Sequence, residues 1–287
     1  MRSLIFASFA LLSVVGCERG TTTRVPSAPL TFGTEPVAVG EVAQVERRGT
    51  LSVEFRYLDG SIGGPITIQV ELSNTHEARV KEVFDGLASA VEVGYVRARE
   101  YWGGTEGPIE EHVGVTGNRY LVYSDGGSLD TARADGGRIQ STREVEQLDR
   151  DFELLGSPGS LRAQLRGRTV EPGVAIEVTP AEISGLLPDA DADLAKLTLV
   201  GLEQQCGREV AVFDATLRTT VWFRRAGARA ELQGTLRADV ATGQPMAFDF
   251  EGPVVMVDGE NRSGAGATVE GKGKAALYAT TTPSGCW

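Results

Sequence analysis

Residues 210–240, VAVFDATLRTTVWFRRAGARAELQGTLRADV, decide the fold. From Val210 to Phe223 the positions Ala211, Phe213, Ala215, Leu217, Val221 and Phe223 share one face. From Ala230 to Val240 the set is Ala230, Leu232, Gly234, Leu236, Ala238 and Val240, against Glu231, Gln233, Thr235, Arg237 and Asp239. A period of two means extended strands with one dry and one wet face, the habit of antiparallel sheets. The pattern continues outward. Lys196 to Gln204 forms a strand that turns at Gln205-Cys206-Gly207, and Thr242-Gly243 leads to Met246, Phe248, Phe250 and Val254 to Val257. A last strand carries Val269, Ala275, Leu277 and Ala279. Small inward residues (Gly234, Ala238, Gly271, Gly273, Ala275) predict a strongly curved meander.

The first half adds hairpins. Leu51, Val53, Phe55 and Tyr57 alternate with polar residues, Asp59-Gly60 turns, and Ile66, Ile68, Val70 and Leu72 alternate back. Residues 75–102 are ambiguous between a helix over 76–91 and two strands turning at Asp85-Gly86; the β-branched and aromatic content favours the strands. Asn118–Ser124 and Ser128–Ala134 form a further short pair. Ser141-Thr-Arg-Glu144 has the form of a capping box, and Val145, Leu148, Phe152 and Leu155 follow at helical spacing, so a helix is expected over Ser141–Leu155. A second is expected over Thr179–Pro188, with Pro180 at its first position. The fold class expected is α+β, mostly β. It is a large curved antiparallel sheet of roughly ten strands, an incomplete barrel, with two helices packed against it. Residues 41–287 form a single β-rich domain, or two halves (41–140 and 190–287) joined by the helical segment 141–188.

The N-terminus, MRSLIFASFALLSVVGC, has one basic residue, an apolar run from Leu4 to Val15 and a small-residue end, the layout of a secretory signal. Val14-Val15-Gly16-Cys17 resembles the lipobox of bacterial lipoproteins. The resemblance implies that residues 1–16 are removed and that Cys17 carries diacylglycerol. Residues 17–40, rich in Thr, Pro, Gly and Ser, are expected to be a flexible tether. With Cys17 so used, Cys206 and Cys286 remain as an even pair in an exported protein, hence an expected disulfide. Two lone cysteines without a nearby His do not make a zinc site. Glu18 after the lipidated cysteine, by resemblance to the sorting rule of well-studied lipoproteins, implies the outer membrane.

A broader resemblance covers residues 50–285. The runs GNRYLVYSDGG (117–127), STREVEQLDRDFELLG (141–156), LRGRTVEPG (165–173) and LRADVATGQPMAFDFEGP (236–253) look like envelope lipoproteins of myxobacteria and their relatives. It implies a shared hairpin, helix and meander, and supplies no catalytic residues.

Charge excludes other roles. The net charge of −11 becomes −12 once Arg2 leaves with the signal, which argues against nucleic acid and against adsorption to anionic headgroups. No chemical motif is complete. Gly156-Ser157-Pro158-Gly159 lacks the surround of a nucleophile elbow. The Gly266–Gly273 run has Gly273 where a P-loop needs Ser or Thr. Asp189-x-Asp191-x-Asp193 lacks the glycine and glutamate of a calcium loop and reads as a solvated acidic loop. His76 and His112 read as solvated loop or strand-end residues. No catalytic residue, metal or cofactor is therefore expected. At the level of architecture alone, the curved sheet with helices resembles periplasmic carriers of lipids and lipoproteins. That resemblance implies an apolar ligand in a dry cavity, on the order of several hundred Å³. The alternative is a structural or protein–protein interaction lipoprotein. Expected partners are thus the membrane, through the acyl anchor, and an apolar ligand or an envelope protein.

Overall fold

The computed structural model describes residues 23–286 apart from 59–63, 105–108, 113, 126–127, 140, 180–185, 188–189, 224–225, 259–267 and 285. β1 (Leu30–Thr31), β2 (Val42–Tyr57), β3 (Ile66–Phe84) and β4 (Leu87–Gly104) come first, then β5 (Ile109–His112), β6 (Arg119–Ser124) and β7 (Leu129–Arg133). Two helices, α1 (Thr142–Phe152) and α2 (Leu161–Leu165), precede the short β8 (Thr169–Val170) and β9 (Ala175–Val178). The meander is β10 (Ala190–Gln205), β11 (Arg208–Phe223), β12 (Ala226–Asp239), β13 (Pro245–Asp258) and β14 (Val269–Pro283).

All but β1 and β8 belong to one antiparallel sheet of twelve strands, in the order β7-β6-β4-β3-β2-β14-β13-β12-β11-β10-β9 with β5 beside β4. Its two outer strands do not pair, so the barrel is incomplete. The N-terminal hairpin and the C-terminal meander merge because β14 pairs with β2, from Val269 opposite Tyr57 to Pro283 opposite Ala43. One continuous sheet therefore runs across both halves. Residues 76–91 are strand, turning at Asp85-Gly86. Both turn residues have positive φ (49° and 75°), the backbone of a two-residue hairpin whose twist matches that of the strands. Cys206-Gly207 repeats the device. Neighbouring strands approach closely where glycine is obligatory: a Cβ on Gly234 would lie 1.8 Å from the Asp249 carbonyl oxygen, and one on Gly273 2.0 Å from that of Ser52.

Helix α1 starts where the capping signal places it, the Ser141 side chain accepting from the Glu144 N–H at 3.2 Å. The expected helix over Thr179–Pro188 lies largely outside the described residues, and Leu186 and Leu187 are buried in a turn and bend. A short helix not anticipated from sequence, α2, sits at 161–165 behind Ser160, whose side chain accepts from the Ala163 N–H.

The expected tether needs correction. Residues 24–41 are a strap across one end of the curved sheet. Arg24 exchanges backbone hydrogen bonds with Leu202, β1 pairs with β8, Gly33 N–H donates to Val240, Val37 N–H to Gly86 and Gly40 N–H to Val80. Phe32 in its middle is 1% exposed and stacks on Phe213. Ordered structure thus begins well before Glu41. A Thr/Pro/Gly-rich composition concealed one buried phenylalanine and a set of backbone pairings that any sequence can make.

Cys206 and Cys286 are disulfide-bonded, with Cα atoms 5.6 Å apart. β12 and β13 lie between the strands they extend, a separation of about 14 Å across a flat sheet. The curl and the residues after Pro283 bring them together. The free edge of β10 is covered by β9 and by Arg24.

The core has two parts. The larger lies under the strap, α2 and Leu186-Leu187, on β2 and β10–β14, and includes Phe32, Phe213, Phe250, Leu161 and Leu165. The smaller joins α1 to β4 and β6 through Val93, Tyr95, Tyr120, Leu148 and Phe152.

Candidate functional site

Between these cores the concave face is not fully packed. A cavity of about 260 Å³ lies among β2, β3, β13 and β14, covered by the end of α1, the residues after it, and the strap. Val45, Val80, Leu87, Phe152, Met246 and Phe248 give it apolar walls. Strand register orders the rest. At the inner end, Phe248, Ala279, Arg47 and Asn74 sit opposite one another on successive strands. Next come Val45 and His76, then Ala43 and Ala78, and at the mouth Glu41 beside Val80. From Arg47 to Glu41 the lining runs about 20 Å along the strand.

The inner end is polar, contrary to the dry cavity expected. Asp151, on the buried face of α1, has a side chain 2% exposed. It accepts from Arg47 Nη1 at 3.2 Å, Asn74 Nδ2 at 3.0 Å, Tyr95 Oη at 2.5 Å and Gln147 Nε2 at 2.8 Å. Burial opposes ionisation, but the Arg47 guanidinium, with the other donors, outweighs it and holds the carboxyl below its ordinary range. Tyr95 is pushed the other way, well above the usual phenol value, by burial and by the Asp151 charge. One charged pair with every carboxylate oxygen hydrogen-bonded is the form in which a buried carboxylate is tolerated.

His76 corrects the sequence reading. It is no loop or strand-end residue: it stands in mid-β3, facing inward and 1% exposed, between the rings of Tyr95 and Phe152. Burial lowers its pKa to about 4, the Asp151 charge pulling it up and Arg47 pushing it down, so the ring is neutral at pH 7. The network also fixes its tautomer. Asn74 Nδ2 donates to Asp151, so the Asn74 Oδ1 lies 3.1 Å from His76 Nδ1 as an acceptor, and Nδ1 must carry the proton. Nε2 is then a lone-pair acceptor. It has no hydrogen-bond partner among the described residues, in a side chain that lines the cavity.

Charge also gathers at the mouth. Arg208 lies 3.7 Å from Glu41 and 3.2 Å from Asp239. Arg162, 7% exposed, donates to Gln244 Oε1 and to the Glu35 carbonyl, stapling α2 to the β12–β13 turn and to the strap. A wider hollow of about 600 Å³ crosses β13, β14, β2 and β3 among Ser52, Gln69, Glu251 and Lys274. Those side chains are exposed, so the smaller, covered cavity is the better candidate.

Of the residues singled out from sequence, Cys17 lies outside the described residues, and Cys206 and Cys286 are bonded to each other. Asp191 and Asp193 lie within β10 instead of a loop. His112 ends β5. Among the described residues, no group of three or more side chains able to hold a metal gathers, and no helix is long and apolar enough to cross a membrane. No family model and no curated protein matches the chain. Among solved structures, an outer membrane channel from Pseudomonas putida F1 aligns over 86% of this chain and 97% of its own at 10% identity. The TM-score is 0.20, too low to inform fold or function.

Proposed function

We propose that this is a lipid-anchored, non-catalytic protein of the cell envelope, held at the outer membrane through Cys17, that carries an apolar ligand or acyl chain in the cavity beneath α1. The observation that carries the proposal is the cavity itself, a gap of about 260 Å³ in a concave face otherwise packed with large apolar side chains. Orientation supports it. The strap enters the fold at the end where Glu41, Arg208 and Pro283 form the cavity mouth. Thr23 follows Cys17 by six positions, an extended reach of about 20 Å, so an acyl anchor would keep that mouth close to the bilayer.

The test is native mass spectrometry of the exported chain carrying Cys17→Ser, kept whole from residue 17 and purified without detergent. A stoichiometric adduct of lipid mass, lost on organic extraction, is the expected result. A bare chain would favour the second reading, a scaffold whose concave face is simply core. That reading is supported by the solid packing of Phe32, Phe213, Phe250 and Leu165 over most of that face. It predicts envelope proteins, instead of lipid, as crosslinking products.

A further inference from the structure

Resting on the carrier reading, we infer that the Arg162 guanidinium is the recognition group of the cavity, and that the ligand is a single-chain amphiphile with an anionic oxygen head, a carboxylate or a phosphate. Among the described residues, three buried side-chain atoms lack a hydrogen-bond partner: Tyr120 Oη, Arg150 Nε and Arg162 Nε. Tyr120 belongs to the small core under α1, whereas both arginines line the cavity. Arg150 already has a counter-ion, Glu100 at 3.6 Å, and a second acceptor in Gln147. Arg162 has only neutral acceptors, Gln244 Oε1 at 3.3 Å from Nη1 and the Glu35 carbonyl at 3.0 Å from Nη2. The residue is 7% exposed, and its neighbouring carboxylates Glu41 and Asp239 pair with Arg208 instead.

The class of ligand follows from the charges around that group. Burial lowers the Arg162 pKa; the Glu41 charge opposes this, Arg166 adds to it and Asp239 opposes it. Arg166 spends its own guanidinium on the Thr34 and Asp85 carbonyls. Of the carboxylates lining the cavity, Asp151 is committed to Arg47, Glu41 to Arg208, and Glu153 is exposed to solvent. A desolvated guanidinium with an unpartnered N–H is costly until an anion meets it, and its planar fork matches carboxylate and phosphate oxygens. A hydroxyl head would satisfy an N–H without balancing the charge. At the inner end His76 is neutral and Asp151 is paired, so no charge waits there for the head. The head therefore sits at the mouth, and the apolar chain runs inward along Met246, Phe248, Val45 and Phe152.

Titration calorimetry on the exported Cys17→Ser chain with three probes of one chain length tests this: dodecanoate, dodecyl phosphate and 1-dodecanol. An anion is expected to bind about tenfold tighter than the alcohol, and the tighter of the two anions identifies the head as carboxylate or phosphate. Arg162→Gln should erase that ratio while the alcohol still binds. In the unmutated chain, the Arg162 Nε–H resonance should shift as the anion saturates, a readout that stands even if the variant fails to fold. Equal or tighter binding of the alcohol would overturn the inference and leave the carrier reading intact. A ratio that survives in folded Arg162→Gln, or a stationary Arg162 signal while the anion binds, would overturn it as well. Binding of none of the three would remove both.

Discussion

The two halves of the concave face are built on one alternation and come to different ends. On β10–β14 the inward rows are mostly apolar, with Thr219 a buried exception, and Phe213, Leu217, Leu232, Leu236 and Phe250 are sealed under the strap and α2. On β2 and β3 the inward rows include Arg47, Asn74 and His76, which meet Asp151 of α1. The first half shows what the fold needs: dry, interdigitated packing on a tightly curled sheet. The second carries a costly buried charge pair that an apolar core would have avoided, next to the cavity of about 260 Å³. The difference places the buried charge pair where stability alone would have chosen leucine.

The comparison can be broken or sharpened by substitution. Phe32→Ala removes the ring that stacks on Phe213 and unseats the strap, with an expected loss of about 3–5 kcal/mol in urea unfolding, independent of pH. Asp151→Ala should cost a similar 3–5 kcal/mol for a different reason, an uncompensated Arg47 and orphaned Asn74 and Tyr95 donors. Unlike Phe32→Ala, it should change the acid limb of the stability curve. If both variants showed the same pH profile, the contrast between the halves would be lost.

The pH dependence itself comes next. His76 is neutral when folded down to about pH 4, whereas in the unfolded chain it takes up a proton near pH 6.5. Between those values the unfolded state binds more protons, so stability should fall on acidification by on the order of 3 kcal/mol. Asp151, held below its ordinary range, adds a second loss below pH 4, as the folded carboxylate is finally protonated. Urea melts from pH 7.5 to 3.5 should show the first loss in the unmutated chain and lack it in His76→Gln. The smallest effect is local: Ser141→Ala should cost about 1 kcal/mol by freeing the Glu144 N–H at the start of α1, without touching the cavity.

Much of the sheet was legible because period two and the Asp-Gly and Cys-Gly turns are local signals. The pairing of β14 with β2 was not, since nothing along the chain records which edges meet. The strap was missed because its contacts are backbone hydrogen bonds and one aromatic. The site left a trace that went unread. Arg47 is in phase with Val45, Gly49 and Leu51, and Asn74 and His76 are in phase with Val70, Leu72 and Ala78. On α1, Asp151 adjoins Phe152 on the buried face, in register with Gln147. Polar residues at inward phase on two strands and a helix are a cluster waiting for a fold to assemble it; that they converge on one carboxylate is a fact of three dimensions.

The most direct test of the central claim uses the two methionines of the body. Met246 lines the cavity, and Met256, ten residues on along β13, belongs to the packed half. With methyl-labelled methionine and 1-dodecanol titrated into the exported Cys17→Ser chain, the account predicts a saturable NMR shift at Met246 and a stationary Met256. Two stationary methyls, or a shift confined to Met256, would contradict it.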